Sequence, residues 1–305
     1  QIHQHTIDWN SNNPSPLFEE ERFKTVESMI STDDRRNPLK HLTDTSGDDY
    51  PSKTLKVLYE YSQRGERGCA ELLLKRFKDE TLYNHDTKEW LKYDNGVWVK
   101  DSISNITWRS QKFLLEVFPE VARLSEGQEF RLKQLARDDS DNEQEFKREA
   151  SRYKKYAQSF DKTKKAITYK KTSDQILALL ATEEDIGTAT TDFDQHPLLI
   201  NLQNGYYDLE QGQFYDSDPK KRFLCQFRTN FTPEAKPEKW IKFLETIFEG
   251  DQERIEYIQK LVGISLTGKA DFQAIIFCFG DGRNGKSTFI ETLRRLFCDY
   301  FGNIT

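Results

Sequence analysis

The stretch Gly280-Asp-Gly-Arg-Asn-Gly-Lys-Ser287 matches the pattern GxxxxGK[ST] at every fixed position. An apolar run precedes it over 274–279, and apolar residues at helical spacing follow it from Phe289 to Phe297. This context predicts a buried parallel strand, a tight loop and a helix, in that order. Glycines let several backbone N–H groups point into one concavity, and the positive end of the helix faces the same space. The stretch therefore predicts a phosphate-binding loop.

The positions of this loop have separate predicted roles. Lys286 can reach the β- and γ-phosphates of a nucleotide and is the candidate catalytic residue, while the Ser287 hydroxyl is the candidate ligand of Mg²⁺. A glycine-rich turn without a ligand is the alternative, and the predicted strand and helix on either side argue against it. The predicted site for ATP and Mg²⁺ comprises Gly280, Asp281, Gly282, Arg283, Asn284, Gly285, Lys286, Ser287 and Thr288.

The chain before the loop is predicted to be an α+β region, mostly helical with β-hairpins. Apolar residues at helical spacing indicate the helices, and Asp94-Asn95-Gly96 predicts a tight hairpin. Pro119 is expected to mark a helix break or a first helical turn. The predicted divisions are a linker or partly ordered arm over 1–50, a mainly helical domain over 51–190, a segment rich in β-hairpins over 191–235, two amphipathic helices within 236–270, and the phosphate-binding region over 271–305.

A basic stretch, 151–171, stands out in a chain whose net charge is -6. It contains eight cationic residues and one acidic residue, Asp161. Four aromatic residues are interleaved with the cations: Tyr153, Tyr156, Phe160 and Tyr169. Lysines neutralise phosphates and aromatic rings stack on bases, so the composition suits nucleic acid. A solvated helix whose aromatic residues face the core explains the pattern equally well. The candidate nucleic-acid residues are Arg152, Lys154, Lys155, Lys162, Lys164, Lys165, Lys170 and Lys171.

Other features of the sequence limit the class of protein. There is no apolar run of membrane-spanning length and no signal peptide, so we expect no membrane partner. The four cysteines include no CxxC pair, which argues against a zinc site, and they fit a reducing cytoplasm. Cys278 and Cys298 lie in apolar sequence and are predicted to fill the core.

The loop and its flanks, Phe279-Gly-Asp-Gly-Arg-Asn-Gly-Lys-Ser-Thr-Phe289, resemble the loop of superfamily 3 helicases. These are the AAA+ primase-helicases of phages, plasmids and large DNA viruses. The resemblance covers roughly residues 60–305, with softer similarity upstream at Gly68–Trp98, Asn204–Leu209, Trp240–Phe248 and Leu261–Gly268. By this resemblance, 51–190 is a poxvirus-type helicase N-terminal domain, 236–270 a helical collar, and 271–305 the start of an α/β P-loop AAA+ core.

The resemblance implies an ATP-dependent DNA helicase subunit in the replication of a phage, plasmid or virus. Such a parent protein forms a homo-oligomeric ring, usually a hexamer, on single-stranded or forked DNA, with a primase domain or partner upstream. The Walker B carboxylate, the sensor and the arginine finger of the family would lie beyond Thr305. We therefore expect no helicase activity and at best weak ATPase activity from the chain itself. The alternatives are a non-enzymatic DNA-binding or ring-assembly module and an unrelated P-loop enzyme such as a kinase.

Overall fold

The structure is a computed structural model that describes residues 50–269, 276–280, 282 and 284–302. Within these residues the chain divides into two units. The helical unit comprises the described chain up to Lys78 and Ser102–Gly187, and the mixed unit comprises Asp79–Asp101 and the described chain from Thr188 onward. The arm predicted over 1–50 lies outside the described residues, apart from Tyr50.

The helical unit contains five helices whose apolar residues recur every three or four positions. Leu114, Phe118 and Val121 are buried on the longest helix, and Tyr156 and Phe160 are buried on the helix that follows it. These side chains form the core between the two helices, with the Phe118 and Phe160 ring centroids 6.1 Å apart. The helices are α1 (Tyr50–Gln63), α2 (Gly65–Phe77), α3 (Ile103–Asp138), α4 (Glu143–Ile167) and α5 (Lys170–Leu180).

The prediction that Pro119 breaks or starts a helix is wrong. Helix α3 runs for 36 residues with Pro119 inside it, and its N-cap is Ser102, whose side chain accepts from the backbone N–H of Asn105 at 3.0 Å. Proline removes one backbone donor, which costs about 3 kcal/mol in an isolated helix. The apolar burial on either side, at Phe118 and Val121, offsets that cost, because each such side chain contributes roughly 1.5–3 kcal/mol.

The first sheet has the strand order β3-β2-β1-β4 and belongs to the mixed unit except for Gly187 of β4. The strands are β1 (Thr81–Asn84), β2 (Glu89–Asp94), β3 (Val97–Asp101) and β4 (Gly187–Thr188). The predicted turn between β2 and β3 is confirmed, since Asn95 and Gly96 have φ of 48° and 91°. Two consecutive positive φ values are those of a type I′ turn, which favours this residue pair. Leu82, Leu91 and Trp98 pack with Phe193 beneath the sheet.

The second sheet lies in the segment predicted to be rich in β-hairpins, and it is a meander of three antiparallel strands in the order β5-β6-β7. They are β5 (Leu199–Leu202), β6 (Gly205–Asp208) and β7 (Gln213–Tyr215). Two buried amides join the chain around this sheet to the β2–β3 turn. Asn201 donates from Nδ2 to the Gly96 carbonyl at 3.1 Å, and Gln226 donates from Nε2 to the Asn95 carbonyl at 2.8 Å. The hairpin therefore belongs with residues more than 100 positions later in the chain.

Three helices complete the mixed unit, and the two amphipathic helices predicted within 236–270 are confirmed. They are α6 (Glu238–Ile247) and α7 (Gln252–Ser265), and α8 (Lys286–Phe297) follows the glycine-rich loop. Short 3₁₀ turns cover Thr190–Asp192, Pro219–Lys221 and Cys298–Tyr300. Phe297 of α8 packs with Ile200, Leu202 and Phe227, so the C-terminal end of this helix is anchored in the core of the unit.

The strand predicted over 274–279 is not formed in its described part. Residues 276–280 have no strand assignment, and Phe277 and Phe279 are 80% and 91% exposed. Cys278 is exposed as well, so its predicted core position is wrong, and Cys298 is only partly buried. A parallel strand exists only by hydrogen bonding to neighbouring strands, and none of the described strands pairs with this segment. The α+β arrangement is confirmed, and the start of an α/β core remains a prediction. Among the helices described, none is both long enough and apolar enough to cross a bilayer.

Candidate functional site

The glycine-rich loop ends at the first turn of α8, where Gly285 is the N-cap residue. Gly285 has φ 84° and ψ -4°, a left-handed conformation, and its carbonyl accepts from the backbone N–H of Phe289 at 2.9 Å. The first backbone N–H groups of a helix have no partner within it, and the helix dipole makes this end positive. This is the geometry that favours an anion, as the sequence pattern predicts.

The side chain of Lys286 reaches back over the loop. Its Nζ donates to the Gly280 carbonyl at 2.8 Å and to Oδ1 of Asn284 at 2.7 Å. A Cβ added to Gly280 would lie 2.3 Å from Nδ2 of Asn284, so the asparagine amide occupies the space that a side chain at 280 would need. Two oxygen acceptors of the protein therefore hold the Lys286 ammonium above the loop.

Helix α6 packs against the end of the loop at Gly285. A Cβ added to Gly285 would lie 2.6 Å from Cγ2 of Ile247 and 3.4 Å from the Phe243 ring. Trp240 of the same helix stacks on Phe289 of α8, with ring centroids 5.7 Å apart and an interplanar angle of 20°. The start of α8 is thus positioned by side chains about 40 to 50 residues earlier in the chain. The amphipathic pattern of α6 revealed that the helix has an apolar face, but not that this face supports the loop.

The structure describes some of the remaining predicted loop residues and not others. Ser287 and Thr288 are exposed in the first turn of α8, and Gly282 has open space around it, with nothing within 4 Å of an added Cβ. Asp281 and Arg283 lie outside the described residues. A hydroxyl oxygen is a ligand type that Mg²⁺ accepts, so Ser287 fits its predicted role. The predicted roles of all these residues stay predictions.

One turn further along α8, an acidic residue organises the surface charge. Glu291 accepts from Nε of Arg294 at 2.7 Å and from Nε of Arg295 at 3.0 Å. Hydrogen bonds from the two arginines lower the pKa of Glu291 to about 2. The carboxylate therefore stays charged throughout the neutral range, and the two arginines are already engaged on the helix surface rather than directed at the loop.

The predicted nucleic-acid residues lie on α4 and at the start of α5. All eight cations are exposed, including Lys154, Lys165 and Lys170. Three of the four interleaved aromatic residues, Tyr153, Tyr156 and Phe160, are 5%, 5% and 0% exposed. These three rings are part of the protein core, as in the solvated-helix alternative. Tyr169 is 67% exposed and is the exception.

The chain is thus an α+β protein with a helix-capping glycine-rich loop and a separate cationic helix surface. Residues 70–249 match the family described as D5 N terminal like. This match covers more than half of the chain, and the chain therefore belongs to that family. The loop lies outside the matched residues.

Two similar proteins come from variola virus, a poxvirus. The chain is 27% identical over 128 residues to the uncoating factor OPG117 of variola virus, and it matches the same protein from a second variola virus sequence to the same extent. The alignment covers 38% of this chain but 16% of the relative, so the chain spans about a sixth of the protein it matches. The family match supports the predicted resemblance to poxvirus-type proteins in the region before the loop.

Proposed function

We propose that this chain is part of an ATP-dependent DNA helicase of the primase-helicase type, acting in the replication of a virus, phage or plasmid. The observation that carries the proposal is the arrangement of Lys286 and Gly285. The ammonium sits above a glycine-rich loop, and the loop enters a helix N-terminus through a left-handed glycine. Membership of the D5 N-terminal-like family, with a viral uncoating factor among the relatives, supports the viral setting.

In this proposal the loop holds the phosphates of ATP. Lys286 would keep its bond to Asn284, which positions the ammonium, and would turn from the Gly280 carbonyl to oxygens of the β- and γ-phosphates. The N–H groups of the first α8 turn would face the same anion. Ser287 supplies a hydroxyl to Mg²⁺. Hydrolysis of bound ATP would supply free energy and Mg²⁺ would offset charge on the phosphates, while the residues of the loop and of the first α8 turn orient the phosphates and offset their charge.

The partners follow from the family resemblance. We propose single-stranded or forked DNA as the nucleic acid, a homo-oligomeric ring of six subunits as the working form, and a primase domain or partner upstream. In this arrangement α6 and α7 form the collar that precedes the ATPase core.

A second function is a non-enzymatic DNA-binding or ring-assembly module. Two observations favour it for this part of the protein: the family match ends at residue 249, before the loop, and the described residues 276–280 are exposed rather than paired in a sheet. The two functions differ in whether the loop binds nucleotide.

A binding titration distinguishes them. We expect the chain to bind a fluorescent ATP analogue in the presence of Mg²⁺ and Lys286→Ala to bind it about 10- to 150-fold more weakly, because a charge-assisted hydrogen bond contributes roughly 1.5–3 kcal/mol. Lys260→Ala is the matched control, since Lys260 is 77% exposed on α7. Equal affinities for the Lys286→Ala and Lys260→Ala variants would contradict the proposed nucleotide site and favour the non-enzymatic module.

A further inference from the structure

Helix α4 separates its aromatic and cationic side chains onto opposite faces. Tyr156 stacks on Tyr59 of α1 with ring centroids 4.3 Å apart, and Phe160 packs on Phe118 of α3. Because these rings are held in the core of the helical unit, they are not accessible to bases. The aromatic residues that the sequence placed among the lysines therefore leave the outer face of α4 with cations and no stacking surface.

The outer face carries a row of lysines. Lys154, Lys155, Lys162 and Lys165 share one side of α4, since their spacings of seven, eight and eleven residues bring them round to the same face. All four are exposed, and no ion pair of these side chains occurs among the described residues. The row from Lys154 to Lys165 is about 16 Å long at 1.5 Å per residue. One strand of B-DNA presents about five phosphates over that length.

The row of lysines ends at a corner that contains an exposed aromatic ring. Helix α4 ends at Ile167 and α5 begins at Lys170, with Tyr169 between them as the N-cap residue of α5. The backbone at Tyr169 is held from both sides, since its N–H donates to the Ala166 carbonyl at 3.1 Å and its carbonyl accepts from Ser173 N–H at 3.2 Å. These hydrogen bonds fix the backbone that carries the ring, and the ring itself is 67% exposed.

Four lysines flank this ring in the sequence, and all of them are exposed: Lys164, Lys165, Lys170 and Lys171. No stacked, edge-on or cation–π partner of the Tyr169 ring occurs in the described part of the chain. An exposed aromatic platform next to several cations is the combination with which proteins hold single strands without sequence preference. A duplex offers its phosphates to lysines, but its bases are stacked on each other and not on the protein.

We propose that the α4–α5 corner binds single-stranded nucleic acid, with one base stacked on Tyr169 and the adjoining phosphates on the lysines of the corner and of the α4 row. The inference rests on the proposed function for its nucleic-acid substrate, and it is independent of the nucleotide site. It assigns the stacking to one residue, whereas the sequence offered four.

The test is fluorescence anisotropy with a labelled oligothymidine of about 20 nucleotides and a duplex of the same length, across a series of salt concentrations. We expect Tyr169→Ala to weaken single-strand binding about 5- to 150-fold, the effect found when one stacking residue is removed, with no change in the salt slope. Tyr169→Phe should restore the affinity, because the ring is kept. Tyr257→Ala is the matched control, since Tyr257 is an exposed tyrosine (64%) on α7 without flanking lysine pairs.

A second pair of variants tests the phosphate contacts separately. Lys164→Gln combined with Lys165→Gln should reduce the salt slope of single-strand binding by about 0.7 for each phosphate that is no longer neutralised. Lys239→Gln combined with Lys242→Gln removes two exposed lysines from α6 and should leave the slope unchanged. Circular dichroism checks that each variant keeps the helical content of the wild-type chain.

The outcomes separate this inference from the proposed function. The inference is overturned if Tyr169→Ala binds the oligothymidine as the wild type does, if it weakens duplex binding to the same degree, or if polyglutamate or anionic vesicles compete as well as the oligonucleotide. Lys286→Ala should leave single-strand affinity unchanged, and Tyr169→Ala should leave binding of the ATP analogue unchanged. Failure of the nucleotide prediction alone would remove the helicase proposal and leave the corner standing.

Discussion

Replacing Gly285 with alanine should impair nucleotide binding through two separable effects. The first is backbone strain, since φ of 84° is a conformation that costs an L-residue about 1–2 kcal/mol. The second is a collision, since the new Cβ would lie 2.6 Å from Cγ2 of Ile247. An ordinary contact between two carbon atoms is about 3.5–4.0 Å. Either the α8 N-terminus or helix α6 must therefore move by about 1 Å.

The magnitude follows from the population of the binding-competent loop. Strain that is present only in this loop conformation lowers its population, and the apparent affinity falls by the same factor. The backbone effect alone corresponds to about 5- to 30-fold weaker binding. Overpacking adds about 1–3 kcal/mol, so Gly285→Ala should weaken binding by about 30-fold or more.

The assay is a titration with a fluorescent ATP analogue in Mg²⁺, with two companion variants. Gly285→Ala combined with Ile247→Ala removes the collision but keeps the backbone strain, so it should recover part of the affinity and remain about 5- to 30-fold below the wild type. Gly250→Ala is the matched control, because Gly250 has φ +77° with nothing within 4 Å of an added Cβ. It should lower the free energy of unfolding by about 1–2 kcal/mol without changing nucleotide affinity.

Two results would refute this reasoning. If Gly285→Ala bound the analogue as tightly as the wild type, the left-handed conformation would not be the one that binds phosphate. If the double variant with Ile247→Ala recovered none of the affinity, contact with α6 would not be what positions the loop.

Two further predictions concern the loop amide and the helical core. Asn284→Ala removes the 2.7 Å acceptor of Lys286, and we expect about 2- to 12-fold weaker binding of the ATP analogue, a smaller decrease than for Lys286→Ala; an unchanged affinity would show that Asn284 does not position the ammonium. Phe160→Ala should lower the free energy of unfolding, measured in urea, by about 3–5 kcal/mol, because the Phe160 ring is fully buried between α3 and α4. Phe130→Ala on α3 is the control for Phe160, since that ring is 64% exposed and should change stability by less than about 0.5 kcal/mol; equal effects of the two would contradict the core assignment.

Local chemistry in the sequence was sufficient for several features of this protein. The Asn95-Gly96 turn, the β-hairpins after residue 191 and the helices of both units were predicted, because positive φ and side-chain periodicity depend on residues a few positions apart. The position of α8 directly after the glycine-rich loop was predicted on the same grounds.

Features that depend on distant partners required the tertiary structure. Pro119 lies inside a helix because burial around it offsets the missing hydrogen bond, and the 276–279 segment forms no strand because none of the described strands lies beside it. The β2–β3 hairpin packs with residues beyond 188, because the side chains of Asn201 and Gln226 donate to carbonyls of its turn. No local sequence pattern indicates this contact.

The basic stretch shows the division most directly. Its sequence determined that cations and aromatic residues alternate, and composition alone allowed either a nucleic-acid surface or a solvated helix. The tertiary structure decided for each aromatic ring whether it is available to a base. Tyr156 faces α1 and is buried, whereas Tyr169 lies past the end of α4 and is exposed. The physical reason is that a residue's type sets what it can contact, whereas packing between helices decides which contacts it has already made.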